Sequence, residues 1–418
     1  MEYRITKAEG LKGTLEAPPS KSYTHRGFVI ASLAEGESRI RNYLSAEDTL
    51  ATVKACRALG VNIQLGEAAV IKGTGGVLRT PSTAIDCENS GTTIRLVSAM
   101  ASLDGEVELT GDASLRKRPM QPLLDALSQL GVRAYSIKGN GRPPVKIMGG
   151  SLRGGEARLR GDISSQFISA LLIVAPYARE DVRITLTTPL KSRPYVDMTL
   201  EAMRSFGVEA ENEDYEGFNV HPRRYKGRTY EVEGDYSNAS YFLALAAMTG
   251  SEIRVRNLRR DSLQGDRRIT DYLREMGAEV ETKANEVTVR GGELRGIEVD
   301  LGDTPDLVPT MVALACKAPG RTVIKNVEHA RQKESDRLAT CAEEFRKFGV
   351  DIEEKRDGLV IEGATKLRGA TVDSHGDHRL AMALSIAGTA AEGETIVRGA
   401  EAVKISYPGF FQVLESLI

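Results

Sequence analysis

Tryptophan is absent from this chain, and aromatic residues make up only 5% of it. Single-stranded nucleic acid is gripped by stacking bases on such rings, so that class of function is disfavoured. Neither sign of charge dominates: 56 Lys and Arg stand against 58 Asp and Glu, a formal net charge of -2. This excludes the broad basic footprint of a nucleic-acid or membrane-surface protein, while leaving room for a local basic site. No apolar run is long enough to span a bilayer. The opening segment MEYRITKAEG has no apolar h-region and is not rich in Arg and Ser, so a cytoplasmic location is expected. The four cysteines, Cys56, Cys87, Cys316 and Cys341, form no CxxC pair and are expected to be reduced, half-buried thiols. Of the five histidines, His375 and His378 lie three apart without nearby partner ligands, so no metal site is expected. A P-loop and a Rossmann glycine-rich turn are also missing.

What is present is a repeat. The 418 residues, 41% of them hydrophobic, suit a soluble globular protein of two or three domains. Six segments open with small polar residues and run into an apolar stretch: PPSKSYTHRGFVIASLA from Pro18, CENSGTTIRLVSAMA from Cys87, GDISSQFISALLIVA from Gly161, GDYSNASYFLALAAM from Gly234, DTPDLVPTMVALACK from Asp303 and SHGDHRLAMALSIAG from Ser374. Each reads as a capped helix start. Five copies contain a second helix that stops at a glycine, Gly60, Gly131, Gly207, Gly277 or Gly349, at intervals of 71, 76, 70 and 72 residues. Glycine suits the position past a helix end, where φ is positive. The unit is thus helix–strand–helix–strand–strand, too long for a thin solenoid. Two domains of three units each follow: residues 1–16 with 234–418, and residues 17–233. The sixth copy is short, and the strand-like segment MEYRITKAEGLKGTLEA is expected to complete it.

A helix N-terminus offers free N–H groups and about half a positive charge, which suits phosphate or carboxylate. The openings add fitting side chains: Lys21 and Arg26 in the first, Asn89, Gly91, Thr92 and Arg95 in the second, Ser164, Ser165 and Gln166 in the third, and Asp377, His378 and Arg379 in the sixth. The fourth, Ser237-Asn238-Ala239-Ser240, offers caps without charge and reads as scaffold. Asp306 in the fifth is the outlier, an acid that a pure anion trap should avoid, although a plain N-cap would also explain it. Further polar clusters stand in LRKRPMQPL with Arg118, in LKSRPYVDM with Ser192, Arg193 and Tyr195, in ARQKESDRL with Lys333, Glu334 and Arg337, and at Lys404.

Taken together, PSKSYTHR, NSGTTIR, LRKRPMQPL, SSQF, KSRPY, the PD at Pro305, KESDRL, GDHR and the late Lys404 resemble, in order and spacing, the 5-enolpyruvylshikimate-3-phosphate synthase family from Pro19 to Lys404. The resemblance implies an α/β (α+β) fold of two similar domains, each of three βαβαββ units in an inside-out α/β barrel, with the active site in the interdomain cleft. It implies transfer of the enolpyruvyl group of phosphoenolpyruvate to the 5-hydroxyl of shikimate 3-phosphate, with no metal or organic cofactor. By motif, Lys21, Ser22 and Arg26 would contact shikimate 3-phosphate; Ser164, Ser165 and Ser192 would hold its phosphate; Gln166, Asp306 and Lys333 its ring hydroxyls; and Tyr195 would lie along the ring. Lys21, Gly91, Arg118, Gln166 and Lys404 would meet phosphoenolpyruvate, with Arg337 and Arg379 on its carboxylate. Asp306 would act as base at the hydroxyl and Glu334 as proton donor at the methylene, with Lys21 sharing the acid–base work. The partners expected are those two small molecules, with no nucleic acid or membrane, and a monomer.

Two positions depart from the family's bacterial pattern: Leu96 stands where Pro is common after NSGTTIR, and His329 where Asn is common before KESDRL. Two other functions remain to be weighed. UDP-N-acetylglucosamine enolpyruvyl transferase commonly carries a Cys in the loop that here reads GDASLRKRP, without one. A non-catalytic sugar-phosphate binder would have little use for Asp306 and Glu334 beside its cations.

Overall fold

The computed structural model describes all residues, 1–418. Twelve α-helices follow in order: α1 Lys21–Leu33, α2 Glu47–Ala58, α3 Gly91–Met100, α4 Gln121–Gln129, α5 Ser165–Val174, α6 Arg193–Ser205, α7 Tyr236–Met248, α8 Ile269–Met276, α9 Val308–Lys317, α10 Arg337–Arg346, α11 His378–Thr389 and α12 Phe410–Leu417. The odd-numbered helices bury almost every residue, as in α7 and α11, where no face is left exposed. A helix that is apolar or small-residued all round must lie in a core. The even-numbered helices bury one stripe only, such as Leu123, Leu124, Ala126 and Leu127 of α4, and expose the rest. The five predicted stop glycines all adopt the left-handed conformation, with φ of 91°, 92°, 86°, 106° and 85°.

Two compact units result: Met1–Pro18 with Glu233–Ile418, and Pro19–Val232. In the Pro19–Val232 unit, α1, α3 and α5 form the core with three four-stranded sheets around it. Each sheet repeats one pattern. The strand after the buried helix pairs in parallel with one neighbour and antiparallel with the third strand of its repeat, which hairpins with the second. In the other unit α7, α9 and α11 occupy the core in the same way.

The chain exchanges strands at the two passages between units. Strand Lys12–Glu16, which precedes α1, pairs in parallel with Glu252–Arg256 of the fourth repeat. Strand Thr229–Glu231, which precedes α7, pairs in parallel with Glu37–Arg41 of the first. The sixth repeat is completed by Glu2–Thr6 alone, antiparallel to Glu394–Arg398 with Glu2 opposite Arg398. The N-terminal segment expected to serve the sixth copy is therefore divided between two sheets. Tyr3 stacks on Phe411 of α12 at 3.8 Å between ring centres, and a methyl group on Gly13 would lie 2.3 Å from Leu417, so α12 seats directly on strand Lys12–Glu16.

Two expectations need correcting. All four cysteines are fully buried rather than half-buried, and burial raises each thiol pKa above its usual value. Asp306 is not a helix N-cap. It lies in a short 3-10 turn, Pro305–Leu307, and its carboxylate is used elsewhere.

Candidate active site

In the Pro19–Val232 unit the buried helices begin with hydroxyl caps. Ser20 accepts from Tyr23 N, Ser90 from Thr93 N and Ser164 from Gln166 N. A serine oxygen there satisfies one orphan N–H and leaves the end of the helix dipole uncompensated by charge. The starts of α3 and α5 touch, because Gln166 donates to Thr92 Oγ1 at 3.0 Å and accepts from Arg95. Gly91 begins α3 beside them. A Cβ on it would lie 2.8 Å from Arg118 Nη1 and 3.3 Å from Arg95 Nη1, so the lack of a side chain keeps a small hollow beside two guanidinium groups. Arg118 donates to Asn89 Oδ1 at 2.5 Å and to Ser114 Oγ at 3.3 Å, and its buried Nε has no hydrogen-bond partner.

Lys21 lies 2.7 Å from Asp48 Oδ2 in α2, with both side chains nearly buried. Burial opposes the charge of Asp48, but Lys21 outweighs it and holds the carboxyl well below the usual range. Arg26 is buried and donates to Thr199 Oγ1 at 2.8 Å, Tyr195 O at 2.7 Å, Ser22 O at 3.0 Å and Ser169 Oγ at 3.3 Å. It thereby ties the first opening to the KSRPY segment. Burial lowers its pKa to about 10, so it stays charged at neutral pH. Ser192, just before α6, is held at φ 57° and ψ 43°, a left-handed conformation uncommon for a serine. Ser165 is buried and Ser22 half-buried at their helix starts.

The other unit holds an acid-rich cluster around Arg337, which is 1% exposed. Its Nη1 lies 2.7 Å from Asp306 Oδ1, its Nη2 2.5 Å from Glu334 Oε2 and its Nε 2.8 Å from Asp377 Oδ2. Burial alone would weaken the guanidinium charge, but Asp377, Glu334 and Asp306 outweigh it and raise the pKa. Arg379 Nη2 reaches the second oxygen of Asp306 at 2.7 Å, and Lys333 Nζ stands 3.5 Å from the first. Desolvation lowers the Lys333 ammonium below its usual pKa, only partly countered by Asp306. Asp377 caps α11 through the N–H of Arg379. Burial works against its charge as well, yet Arg337 keeps the carboxyl below the usual range. Lys404 stands apart, exposed in the 3-10 segment Ala400–Ile405.

Three acids escaped the sequence reading. Asp48 pairs with Lys21, Asp235 rather than a serine caps α7, and Asp266 accepts from Ser237 Oγ. Asp266 is 2% exposed. Burial, reinforced by the charge of Asp306, pushes its pKa up to about 7. The fourth opening, which read as scaffold, thus holds a protonatable carboxyl near the Asp306 cluster. No motif pointed to Asp266, since its partner Ser237 lies 29 residues away. Glu343, Glu344 and His375 also come close enough to suggest a cation site. The Glu344 oxygens, however, are taken by Lys347, His375 and the N–H of Asp373.

Comparison with known proteins decides the lineage. The family model described as EPSP synthase (3-phosphoshikimate 1-carboxyvinyltransferase) matches residues 5–414. This chain belongs to the EPSP synthase family. A relative from Methanocaldococcus jannaschii named 3-phosphoshikimate 1-carboxyvinyltransferase is 50% identical over 420 residues, covering 99% of this chain and 97% of the relative. One of the same name from Methanothermobacter thermautotrophicus is 52% identical over 414 residues, covering 98% and 97%. A solved EPSP synthase from Acinetobacter baumannii superimposes with a TM-score of 0.84 at 30% identity, covering 100% of this chain and 98% of that one. The two-domain enolpyruvyl transferase fold expected from the EPSP synthase motifs is the fold found.

Proposed function

We propose that the chain transfers the enolpyruvyl group of phosphoenolpyruvate to the 5-hydroxyl of shikimate 3-phosphate, giving 5-enolpyruvylshikimate 3-phosphate and phosphate. Membership of the EPSP synthase family over residues 5–414 supports the reaction. The observation that carries the chemistry is Asp306, a nearly buried carboxylate held by Arg337, Arg379 and Lys333 beside a second acid, Glu334. A binder of anions gains nothing from that acid pair. A catalyst that must take one proton and give another does.

In this reading Lys21, Ser22 and Arg26 bind shikimate 3-phosphate, Ser164, Ser165 and Ser192 its phosphate, Gln166 and Lys333 its ring hydroxyls, and Tyr195 its ring. Gly91, Arg118, Gln166 and Lys404 hold phosphoenolpyruvate with Lys21, and Arg337 and Arg379 take its carboxylate, for which a guanidinium fork is suited. Asp306 accepts the proton of the 5-hydroxyl as that oxygen attacks C2 of phosphoenolpyruvate. Glu334 delivers a proton to the methylene carbon, giving a tetrahedral adduct. Loss of a proton from the same carbon then expels phosphate. The chain acts as a cytoplasmic monomer in the same reading.

The test is phosphate release. Purified protein should liberate phosphate only when both phosphoenolpyruvate and shikimate 3-phosphate are present. Tight binding without turnover would point to a sugar-phosphate binder, and turnover of phosphoenolpyruvate only with UDP-N-acetylglucosamine as acceptor would point to the other transferase.

A further inference from the structure

His25 sits on α1 one turn after Lys21, completely buried, and nothing in the chemistry above uses it. Its Nε2 faces Asp48 Oδ1 at 3.6 Å, while the other oxygen of Asp48 holds Lys21 Nζ at 2.7 Å. Neither His25 Nε2 nor Asp48 Oδ1 has a hydrogen-bond partner. The far nitrogen of the ring, Nδ1, is fixed by Thr52 Oγ1 at 2.7 Å, which meets Thr93 Oγ1 at 2.6 Å, which in turn meets Ser90 Oγ at 2.6 Å. A buried polar chain therefore runs from Lys21 through Asp48 and His25 to the N-cap of α3.

The charged groups acting on His25 are Asp48 from α2 and Lys21 and Arg26 from its own helix, while α3 presents the Thr93 hydroxyl. Burial is the largest influence and lowers the imidazole pKa. Asp48 opposes it, and Lys21 and Arg26 add to it. At rest and neutral pH the ring is neutral, because burial, aided by Lys21 and Arg26, outweighs the pull of Asp48.

That balance fails once Lys21 turns toward an anionic ligand, the role assigned to it under the proposed function, on which this inference rests. A buried carboxylate stripped of its cation is costly by several kcal/mol. We propose that His25 is a charge reserve: when Lys21 moves its ammonium from Asp48 to the bound substrate, His25 takes a proton from solvent and replaces Lys21 as the partner of Asp48. His25 is thus a positioning residue acting through Asp48 on Lys21. The direction follows from the charges, since losing the nearby ammonium and gaining a carboxylate partner no longer matched by Lys21 both favour the imidazolium.

The experiment is calorimetric titration of the full chain with shikimate 3-phosphate at pH 8, in buffers of differing ionisation enthalpy. At that pH the ligand phosphate is already close to fully ionised, because its second pKa lies near ~6. A cationic pocket would only drive protons off it, so uptake has to come from the protein. Wild type should take up between about half and one proton per ligand, which requires the exchange of partners to lift His25 from an unperturbed pKa near ~6.5 to about 8 or above in the complex. His25→Gln should take up almost none and bind about tenfold more weakly, the scale of a lost charge-assisted contact. Nitrogen-15 spectra of histidine-labelled wild type give a second reading that needs no variant to fold. The His25 signals should move from the neutral to the imidazolium pattern when shikimate 3-phosphate is added. Binding with no buffer dependence and unmoved His25 signals overturns the charge reserve and leaves the proposed function standing, as does undiminished uptake in His25→Gln. Absence of any binding overturns both.

Discussion

The two units share one topology but treat charge in opposite ways. Around the helix starts of Pro19–Val232, Lys21 pairs with Asp48, while Arg26, Arg95 and Arg118 donate to hydroxyls, amides and carbonyls. Around those of the other unit, Lys333, Arg337 and Arg379 are matched by Asp306, Glu334 and Asp377. The first arrangement is rich in cations held by neutral groups, which suits the anion-binding role proposed for it. The second is balanced, so its carboxylates are held in place by cations. Under the proposed function, one unit supplies the anion-binding cations and the other the acid–base pair.

The contrast can be broken most severely at Arg337. Arg337→Met would leave Asp306, Glu334 and Asp377 around a neutral side chain, and breaking a buried charge group of this kind costs ~3–5 kcal/mol. Urea unfolding at pH 7.5 should show that loss. The deficit should shrink in acid: Asp377 has a depressed folded pKa, so the stability it gives wild type is present above the unfolded value and disappears as pH falls through the folded one. A variant as stable as wild type at pH 7.5 would mean the cluster is not held together by Arg337.

Asp266 sharpens the comparison from the other side. Its folded pKa of about 7 lies above the usual ~3.9 of an unfolded Asp, so its contribution is fully present below pH ~4 and is lost as pH rises through 7. Asp266→Asn keeps the shape and cannot ionise. At pH 8 it should be more stable than wild type by up to ~4 kcal/mol, with the gap closing toward pH 4. Equal stability curves across that range would show that the carboxyl ionises freely. The smallest effect is expected in the cationic unit. Arg118→Ala should raise KM for phosphoenolpyruvate about tenfold, a loss of ~1.4 kcal/mol, with little change in unfolding, because Arg118 is held by neutral partners and leaves no carboxylate behind.

Much of this was legible in the sequence, for physical reasons. The five stop glycines mark repeats because only a left-handed residue ends those helices cheaply, and the serines at positions 20, 90 and 164 mark helix starts because orphan N–H groups need an acceptor. Such signals are local, lying within a few residues of what they describe. What stayed hidden is non-local. Asp48 meets Lys21 across 27 positions and Asp266 meets Ser237 across 29, and neither acid lies in a segment that the motifs single out. The exchange of strands Lys12–Glu16 and Thr229–Glu231 between repeats was hidden for the same reason, since register depends on partners 240 and 190 residues away.

The division of labour itself is tested most directly at Asp306, by measuring the affinity for shikimate 3-phosphate and the rate of phosphate release in Asp306→Asn. The amide keeps the shape and removes the base. The account predicts that turnover falls by about a hundredfold or more, the usual scale for a lost general base, while the dissociation constant of shikimate 3-phosphate changes by less than about tenfold. Equal losses in binding and turnover would place Asp306 among the anion-holding groups and contradict the account.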